Sequence, residues 1–368
     1  MISSPFDFIF ILFSQLPAVA FRGTPRHVCA SPPMFAHARR LLDVVDDVLL
    51  QRYHCRALPS RADNIIHGDL TGKTIIVTGS TSGIGITTAR ALAMRGARVI
   101  LACRTLYKAH DLVDEWTAQC VAFGKKKPDC RVMALDLGEL ASVRAFAAEF
   151  ISSEARLDVL INNAGIFDMS GAYVRSKDGR EQHLQSNFLA PALLSLLLLK
   201  KMSASGAETG DARVVFVSSK LHELCPGLDL DDMDFSSRAY GSQAAYASSK
   251  LAEVLFVRAL DKRVRSKGVR ALALHPGNIV TGVVRTLPKI IQFAYRVIMG
   301  RILLTPEQGA RCSLYCATRA EAVASDAVGP YFTSDCLEKL PSAFALDDDA
   351  SEKLWSWTLS ELRIHDDI

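Results

Sequence analysis

The sequence predicts a single doubly wound α/β domain with a parallel sheet, preceded by an N-terminal helical extension. From Leu70 onward, short β-rich runs alternate with longer helical stretches. The strand runs are also apolar along nearly their whole length. Such continuous apolar strands are typical of a parallel sheet whose two faces are both covered by helices.

Six runs have the composition of buried strands, and segments of helical periodicity lie between them. The predicted strands are residues 73–78, 98–104, 131–137, 157–165, 212–219 and 269–277. The predicted helices are residues 86–96, 139–152, 183–202 and 245–264.

We expect an N-terminal extension over residues 1–69, the doubly wound α/β domain over 70–335 and a helical tail over 336–368. Within the extension, residues 39–53 carry apolar side chains at helical spacing. They predict an amphipathic helix outside the main domain.

The N-terminus leaves localisation open between the cytoplasm and association with the endoplasmic reticulum. Residues 5–21 are apolar, but Asp7 interrupts them and no basic segment precedes them. Residues 1–33 are a signal peptide, a membrane anchor or an extension without structural role.

Composition argues against two classes of function. The net charge of +4 is small for 368 residues, so we expect no nucleic-acid partner. The nine cysteines include no CxxC pair, which indicates reduced thiols and no metal site.

The first strand runs into "TGSTSGIG", Thr78 to Gly85, and a helix follows at once. Gly79, Gly83 and Gly85 allow a tight turn and let a pyrophosphate approach the backbone at a helix N-terminus. A glycine-rich turn alone is a weak pattern, but this strand-to-helix context is the one that dinucleotide binding requires. The alternative is a tight turn without a ligand.

Polar residues stand at the ends of the next three predicted strands. Arg104 stands where dinucleotide folds place an acid for the ribose 2′-hydroxyl, so it is either a partner for a 2′-phosphate or a solvated charge. Asp136 is a candidate acceptor for the adenine amino group. The segment 162–165, "NNAG", either lets a flat ring approach or only satisfies backbone groups.

The segment "YASSK" places Tyr246 and Lys250 on one face of a helix. A nearby ammonium favours the phenolate and lowers the pKa of a tyrosine, which could then exchange a proton with an alcohol or carbonyl oxygen. Ser218 and Ser219 close the preceding strand, where hydroxyls face the ligand crevice.

Nucleophilic serine catalysis is the competing chemistry. It requires an activating base, usually a histidine near a GxSxG elbow. The sequence has no GxSxG, and nothing arranges His222 and His275 as a triad.

Taken together and in this order, the motifs resemble those of the short-chain dehydrogenase/reductases, over roughly residues 64 to 365. The matching segments are "TGSTSGIG", "NNAG", the serine pair at a strand end, "YASSK" and "HPGNIVTG". Within that family, "RVILACRT", "DGREQHLQSNFLAPALL" and "TPEQGA" resemble the retinol dehydrogenases and the oxidoreductase domain of WW-domain-containing oxidoreductase. WW domains are not expected, because the first tryptophan is Trp116.

The resemblance implies a Rossmann fold and assigns a role to each matching residue. The implied catalytic residues are Ser219, Tyr246, Lys250 and Asn187, with Ser218 as the alternative to Ser219. The implied cofactor-binding residues are Gly79, Ser80, Ser82, Gly83, Ile84, Gly85, Arg104, Asp136, Asn163, Ala164, Gly165, Tyr246, Lys250, Pro276, Gly277 and Thr281. No metal is required.

The implied activity is hydride transfer between NADP(H), with NAD(H) as the alternative, and the alcohol or carbonyl group of a lipophilic retinoid-, steroid- or lipid-aldehyde-like molecule. The alternative is a cofactor-binding scaffold with vestigial catalysis. Residues 285–309 would form a cover for a lipophilic substrate, rest on a membrane surface or pack as core helices. Oligomeric state is left open.

Overall fold

A computed structural model of the chain describes residues 33–168, 170–279 and 302–366. Within these residues one sheet contains eight strands. The strands are β1 Thr74–Thr78, β2 Arg98–Cys103, β3 Asp129–Ala134, β4 Val159–Asn162, β5 Ala212–Val217, β6 Val269–Leu274, β7 Tyr331–Phe332 and β8 Glu338–Lys339.

The strand order is β3-β2-β1-β4-β5-β6-β7-β8, and every pair is parallel except β7 with β8. The order reverses direction at β1, whose neighbours are β2 and β4. In such sheets ligands bind in the crevice at the carboxyl ends of the strands beside this switch point. The predicted doubly wound fold is confirmed.

Helices cover both faces of the sheet and create two cores. They are α1 Pro33–His54, α2 Gly83–Met94, α3 Leu106–Ala122, α4 Leu140–Ser153, α5 Ala190–Thr209, α6 Ser242–Val264, α7 Pro306–Thr318, α8 Ala320–Val323 and α9 Asp348–Leu362. One core contains Phe150, Phe256 and Trp355, from α4, α6 and α9. The other contains Trp116 and Leu314, from α3 and α7.

Burial on both faces explains the apolar strands. All five residues of β1 and all six of β5 are buried. The strands end earlier than the sequence pattern predicts, for example at Ala134 in β3 and at Val217 in β5. The polar residues that follow them therefore lie in loops at the carboxyl edge of the sheet.

The long apolar segment Leu184–Thr209 satisfies the length and composition of a membrane span within the described part of the chain. The most apolar 18-residue stretch of this segment is 72% buried inside the protein. The segment begins with a π-helical stretch, Leu184–Leu189, and continues as α5. Its apolar character is explained by packing in the core.

The predicted amphipathic helix in the extension is present as α1, but it does not lie outside the domain. Gln51 is completely buried, and its amide donates hydrogen bonds to the carbonyls of Asn278 and Ile302. Asp47 contacts His275 at 3.1 Å. The helical pattern showed an apolar face but gave no indication of these polar contacts with distant loops.

Candidate active site

The glycine-rich turn after β1 is folded back tightly on itself. Gly79 and Gly83 have φ values of +67° and +50°, which side chains other than glycine adopt at a cost. A Cβ atom on Gly85 would lie 2.3 Å from the Gly79 carbonyl oxygen and 2.7 Å from the Asn163 amide nitrogen. The turn therefore requires glycine at these positions and presents bare backbone to the crevice.

The turn leads into an open helix N-terminus. Ser82 caps α2 in an extended conformation, and its side chain makes no capping hydrogen bond. The first turn contains no acidic residue. The hydroxyl of Ser80 is buried and has no hydrogen-bond partner among the described residues. Unused donors at the positive end of a helix dipole suit an anionic group.

The ends of β1 and β4 are fastened together at the switch point. The Thr78 hydroxyl accepts the backbone N–H groups of Asn163 and Ala164 at 3.0 and 2.9 Å. The Asn163 side-chain amide donates to the Thr78 carbonyl at 2.8 Å. Its amide thus maintains the backbone of the crevice, one of the two interpretations that the sequence left open.

Arg104 and Asp136 lie on the other side of β1, after β2 and β3. Arg104 is exposed, and its guanidinium makes no hydrogen bond or ion pair within the described ranges. Asp136 accepts the Gly138 N–H at 3.0 Å and lies 3.9 Å from the Lys177 ammonium. The arginine is therefore available to a ligand, whereas the aspartate is partly engaged by the protein.

Tyr246, Ser219 and Lys250 come together at the carboxyl end of β5. Burial raises the pKa of the Tyr246 phenol, while the Lys250 ammonium and a hydrogen bond with the Ser219 hydroxyl lower it. The Lys250 Nζ atom is 5.6 Å from the centre of the Tyr246 ring. Ser218 is turned away, because its hydroxyl donates to the Lys250 carbonyl at 3.0 Å.

Lys250 is buried in a polar nest. Its ammonium donates to the Val217 carbonyl at 3.0 Å and to Glu253 Oε1 at 2.7 Å. Burial lowers the pKa of Lys250, but Glu253 and Tyr246 outweigh this and raise it. A Cβ atom on Gly165 would lie 3.5 Å from the ammonium, so a small residue leaves this side open.

Asn187 joins the cluster from the π-helical stretch Leu184–Leu189. Its carboxamide accepts the Ile166 N–H at 2.8 Å and donates to the Ile166 carbonyl at 3.1 Å. It also donates to the Ser249 hydroxyl at 3.0 Å. Such π-helical turns are frequent at functional sites, and this one ties the loop after β4 to α6.

Aromatic side chains that sequence reasoning missed surround Tyr246. The Phe167 ring lies 4.4 Å from the Tyr246 ring, and the His183 ring lies 6.1 Å away. His183 accepts the Asp168 N–H through Nε2 at 3.1 Å and donates through Nδ1 to Glu181 at 2.8 Å. The sequence signal for this group was Glu181 and His183, two titratable residues at the start of the otherwise apolar predicted helix 183–202.

His222 and His275, the two histidines considered for nucleophilic serine catalysis, contact groups other than the Ser219 hydroxyl. The buried His222 ring contacts the Ser219 carbonyl, not its hydroxyl, at 2.8 Å, and its Nε2 accepts the Ser342 N–H at 3.1 Å. His275 accepts the Lys220 N–H at 3.1 Å and contacts Asp47. In the described residues, neither imidazole can activate Ser219.

The remaining predicted cofactor residues follow β6. Pro276 and Gly277 are buried, and a Cβ atom on Gly277 would lie 2.5 Å from Leu304 Cδ1. Thr281 lies outside the described residues, as does most of the predicted segment 285–309. Ser219, Tyr246, Lys250, Asn187 and Gly165 are thus assembled beside the glycine-rich turn, with Arg104 and Asp136 farther along the same edge.

Comparison with known proteins places this geometry in a family. A family model described as short chain dehydrogenase matches residues 73–227. The dehydrogenase/reductase SDR family member FEY of Arabidopsis thaliana is 38% identical over 328 residues, covering 86% of this chain and 84% of that protein. Human retinol dehydrogenase 12 is 39% identical over 289 residues, covering 78% and 85%.

Solved structures agree. An uncharacterized protein from Mycobacterium paratuberculosis gives a TM-score of 0.63 at 30% identity, covering 83% of this chain and 98% of that one. A protein described as an NAD(P)-dependent gluconate 5-dehydrogenase from Beutenbergia cavernae gives a TM-score of 0.55 at 29% identity, covering 73% and 97%. The chain therefore belongs to the short-chain dehydrogenase/reductase family of oxidoreductases, as its motifs predict.

Proposed function

We propose that the chain is an NADP(H)-dependent oxidoreductase that interconverts the alcohol and carbonyl forms of a small lipophilic substrate. The observation that carries the proposal is the contact of Ser219 and Lys250 with Tyr246 at the carboxyl edge, beside the glycine-rich turn. A phenol, an ammonium and a hydroxyl arranged in this way are suited to proton exchange with a substrate oxygen.

The residues around the turn suit a dinucleotide. The open N-terminus of α2 and the unpartnered Ser80 hydroxyl offer donors to a pyrophosphate. Arg104 has no partner among the described residues, so its guanidinium is available to a 2′-phosphate. The solved Beutenbergia cavernae relative is described as NAD(P)-dependent and with NADP bound at low occupancy, so the site of that relative accepts a 2′-phosphate.

The catalytic residues divide the work of moving a proton. When bound, the dinucleotide supplies the hydride acceptor or donor. Tyr246 takes the hydroxyl proton during oxidation and returns one to the carbonyl oxygen during reduction. Lys250 stabilises the phenolate, and Ser219 orients the substrate oxygen through its hydroxyl. Asn187 keeps the loop after β4 in register with α6.

The lipophilic substrate class rests on the relatives and on the surroundings of Tyr246. Human retinol dehydrogenases 12 and 14 are 39% and 35% identical to this chain. Phe167 packs against the tyrosine ring, so the reacting oxygen would approach along an apolar surface.

Turnover of a substrate panel tests the activity, and binding of the two cofactors tests the specificity. The panel contains retinal, steroid ketones and lipid aldehydes, each with NADPH and with NADH. Turnover with NADPH supports the proposal. Tight NADPH binding without turnover of any compound would favour the scaffold.

Arg104→Asp tests cofactor choice. It should weaken NADPH binding on the order of 10- to 100-fold more than NADH binding, because it replaces a charge-assisted contact with repulsion. Calorimetric titration of both cofactors measures this. Arg90→Asp is the matched control, since this exposed arginine on α2 contacts Gln119. Equal losses for both cofactors would contradict the assignment of Arg104.

A further inference from the structure

Glu253 is a buried carboxylate in direct contact with the lysine of the proposed catalytic cluster. It lies on α6, is 2% exposed, and its Oε1 atom is 2.7 Å from Lys250 Nζ. Its Oε2 atom is buried without a hydrogen-bond partner among the described residues. Glu253 has no part in the proton transfer proposed for Tyr246, Lys250 and Ser219.

The position is costly for a residue with only a structural role. A buried ion pair often contributes little net stability, and an unsatisfied carboxylate oxygen adds a desolvation penalty. Lys250 already has the Val217 carbonyl as a partner at 3.0 Å. The carboxylate is therefore a second anchor for the ammonium and, unlike the Val217 carbonyl, it brings a charge that can titrate.

That charge acts on Tyr246 in the opposite direction to Lys250. The ammonium lowers the pKa of the phenol, and Glu253 raises it. An ionised Glu253 offsets the lysine, whereas a protonated Glu253 leaves the full effect of the ammonium on the phenol.

We propose that Glu253 is a positioning residue that holds the Lys250 ammonium and, through its own protonation, sets how readily Tyr246 releases its proton. The inference rests on the proposed function for its catalytic meaning. It adds a carboxylate to the tyrosine–lysine pair and gives the site a built-in response to pH.

Of Glu253 and the titratable groups that face it in the described residues, Glu253 is the one whose charge changes near neutral pH. Burial raises its pKa to about 7, against the lowering effect of the Lys250 ammonium. From β7, burial raises the pKa of Tyr331 well above its ordinary value, so that phenol stays neutral. The pKa values of Lys250 and Tyr246 are raised as well.

Titration of the Tyr246 phenol in the cofactor-free protein tests the proposal. Tyrosinate absorbance is recorded after stopped-flow pH jumps, before alkaline unfolding, and the Tyr246→Phe variant is subtracted in each background. Glu253→Gln should lower the midpoint by about one pH unit, because the offsetting charge is lost. Glutamine keeps the shape and an acceptor for Lys250, so the fold is retained.

Two variants complete the design. Glu253→Asp keeps the charge and should stay close to the wild-type midpoint. Glu223→Gln removes a carboxylate from the equivalent i,i+3 pair with Lys220, whose atoms are 2.7 Å apart, and should leave the midpoint unchanged. An unchanged midpoint in Glu253→Gln would overturn the proposal, and so would an equal shift in Glu223→Gln.

Activity provides the second measurement. In any panel reduction that turns over, the basic limb of the pH profile should likewise move to lower pH in Glu253→Gln, because reduction requires a protonated Tyr246. A shifted titration midpoint without turnover of any compound would support the role of Glu253 while contradicting the proposed activity. Turnover with an unshifted midpoint would overturn only the role of Glu253.

Discussion

Acid should destabilise this protein through His222. The imidazole is completely buried between the Ser219 carbonyl and the Ser342 N–H, and it lies edge-on to the Tyr331 ring at 5.1 Å. Burial lowers its pKa from 6.5 to about 4. Protonation would place a charge where Nε2 must accept a hydrogen bond.

The sign follows from the two pKa values. Between about pH 6.5 and about pH 4 the unfolded chain binds a proton at His222 and the folded chain does not, so stability is full above this window and falls as the pH drops through it. The gap between the two values corresponds to about 3 kcal/mol in all. About 2 kcal/mol of this is lost between about pH 7.5 and about pH 5.

Urea unfolding at a series of pH values, followed by circular dichroism, measures this loss. His222→Asn keeps an amide donor for the Ser219 carbonyl but does not titrate. The wild type should therefore lose about 2 kcal/mol more than the variant over that range. Comparing the two proteins cancels other groups, including Glu253, whose raised pKa has the opposite effect. His110→Asn, at an exposed position on α3, is the control. Parallel profiles for wild type and His222→Asn would refute the reasoning.

Two substitutions probe the supports of the site. Gly85→Ala forces a Cβ atom to within 2.3 Å of the Gly79 carbonyl, so we expect a loss of about 1–3 kcal/mol of stability and of dinucleotide binding, measured by urea unfolding and calorimetry. Gly241→Ala, whose nearest neighbour would be 3.9 Å away, should be nearly neutral, and equal effects would contradict the account. Asp47→Asn replaces the carboxylate that contacts His275, so α1 should open more readily by about 1–3 kcal/mol. Hydrogen exchange in residues 39–54 measures this opening, and unchanged protection would show that the contact does not hold the helix.

The fold could be predicted because the sheet imposes a local pattern. Strands such as Thr74–Thr78 and Ala212–Val217 are buried on both faces, and that burial is visible as an apolar run. Helix α3, Leu106–Ala122, was absent from the predicted helices, although Ala109, Leu112, Val113 and Trp116 lie on one face at helical spacing and pack in the second core.

In the candidate site, too, the sequence predicts contacts between residues close in the chain but not contacts between distant ones. Tyr246 and Lys250 are close in sequence, so helical spacing alone puts them on one face. The contact of Asp47 with His275 joins residues far apart in the chain, and no local spacing marks it. Glu253 follows Lys250 by three residues, so helical spacing also makes them neighbours, but the sequence does not show that α6 buries both groups against the sheet.

The most direct test of the central claim is single-turnover reduction by the Tyr246→Phe variant, using any panel carbonyl that the wild type reduces. Phenylalanine keeps the ring that packs on Phe167 but removes the hydroxyl that exchanges the proton. The account predicts that the rate falls by a factor on the order of 10² to 10⁴ while NADPH affinity changes little. A rate within about threefold of the wild type would contradict Tyr246 as the acid and base.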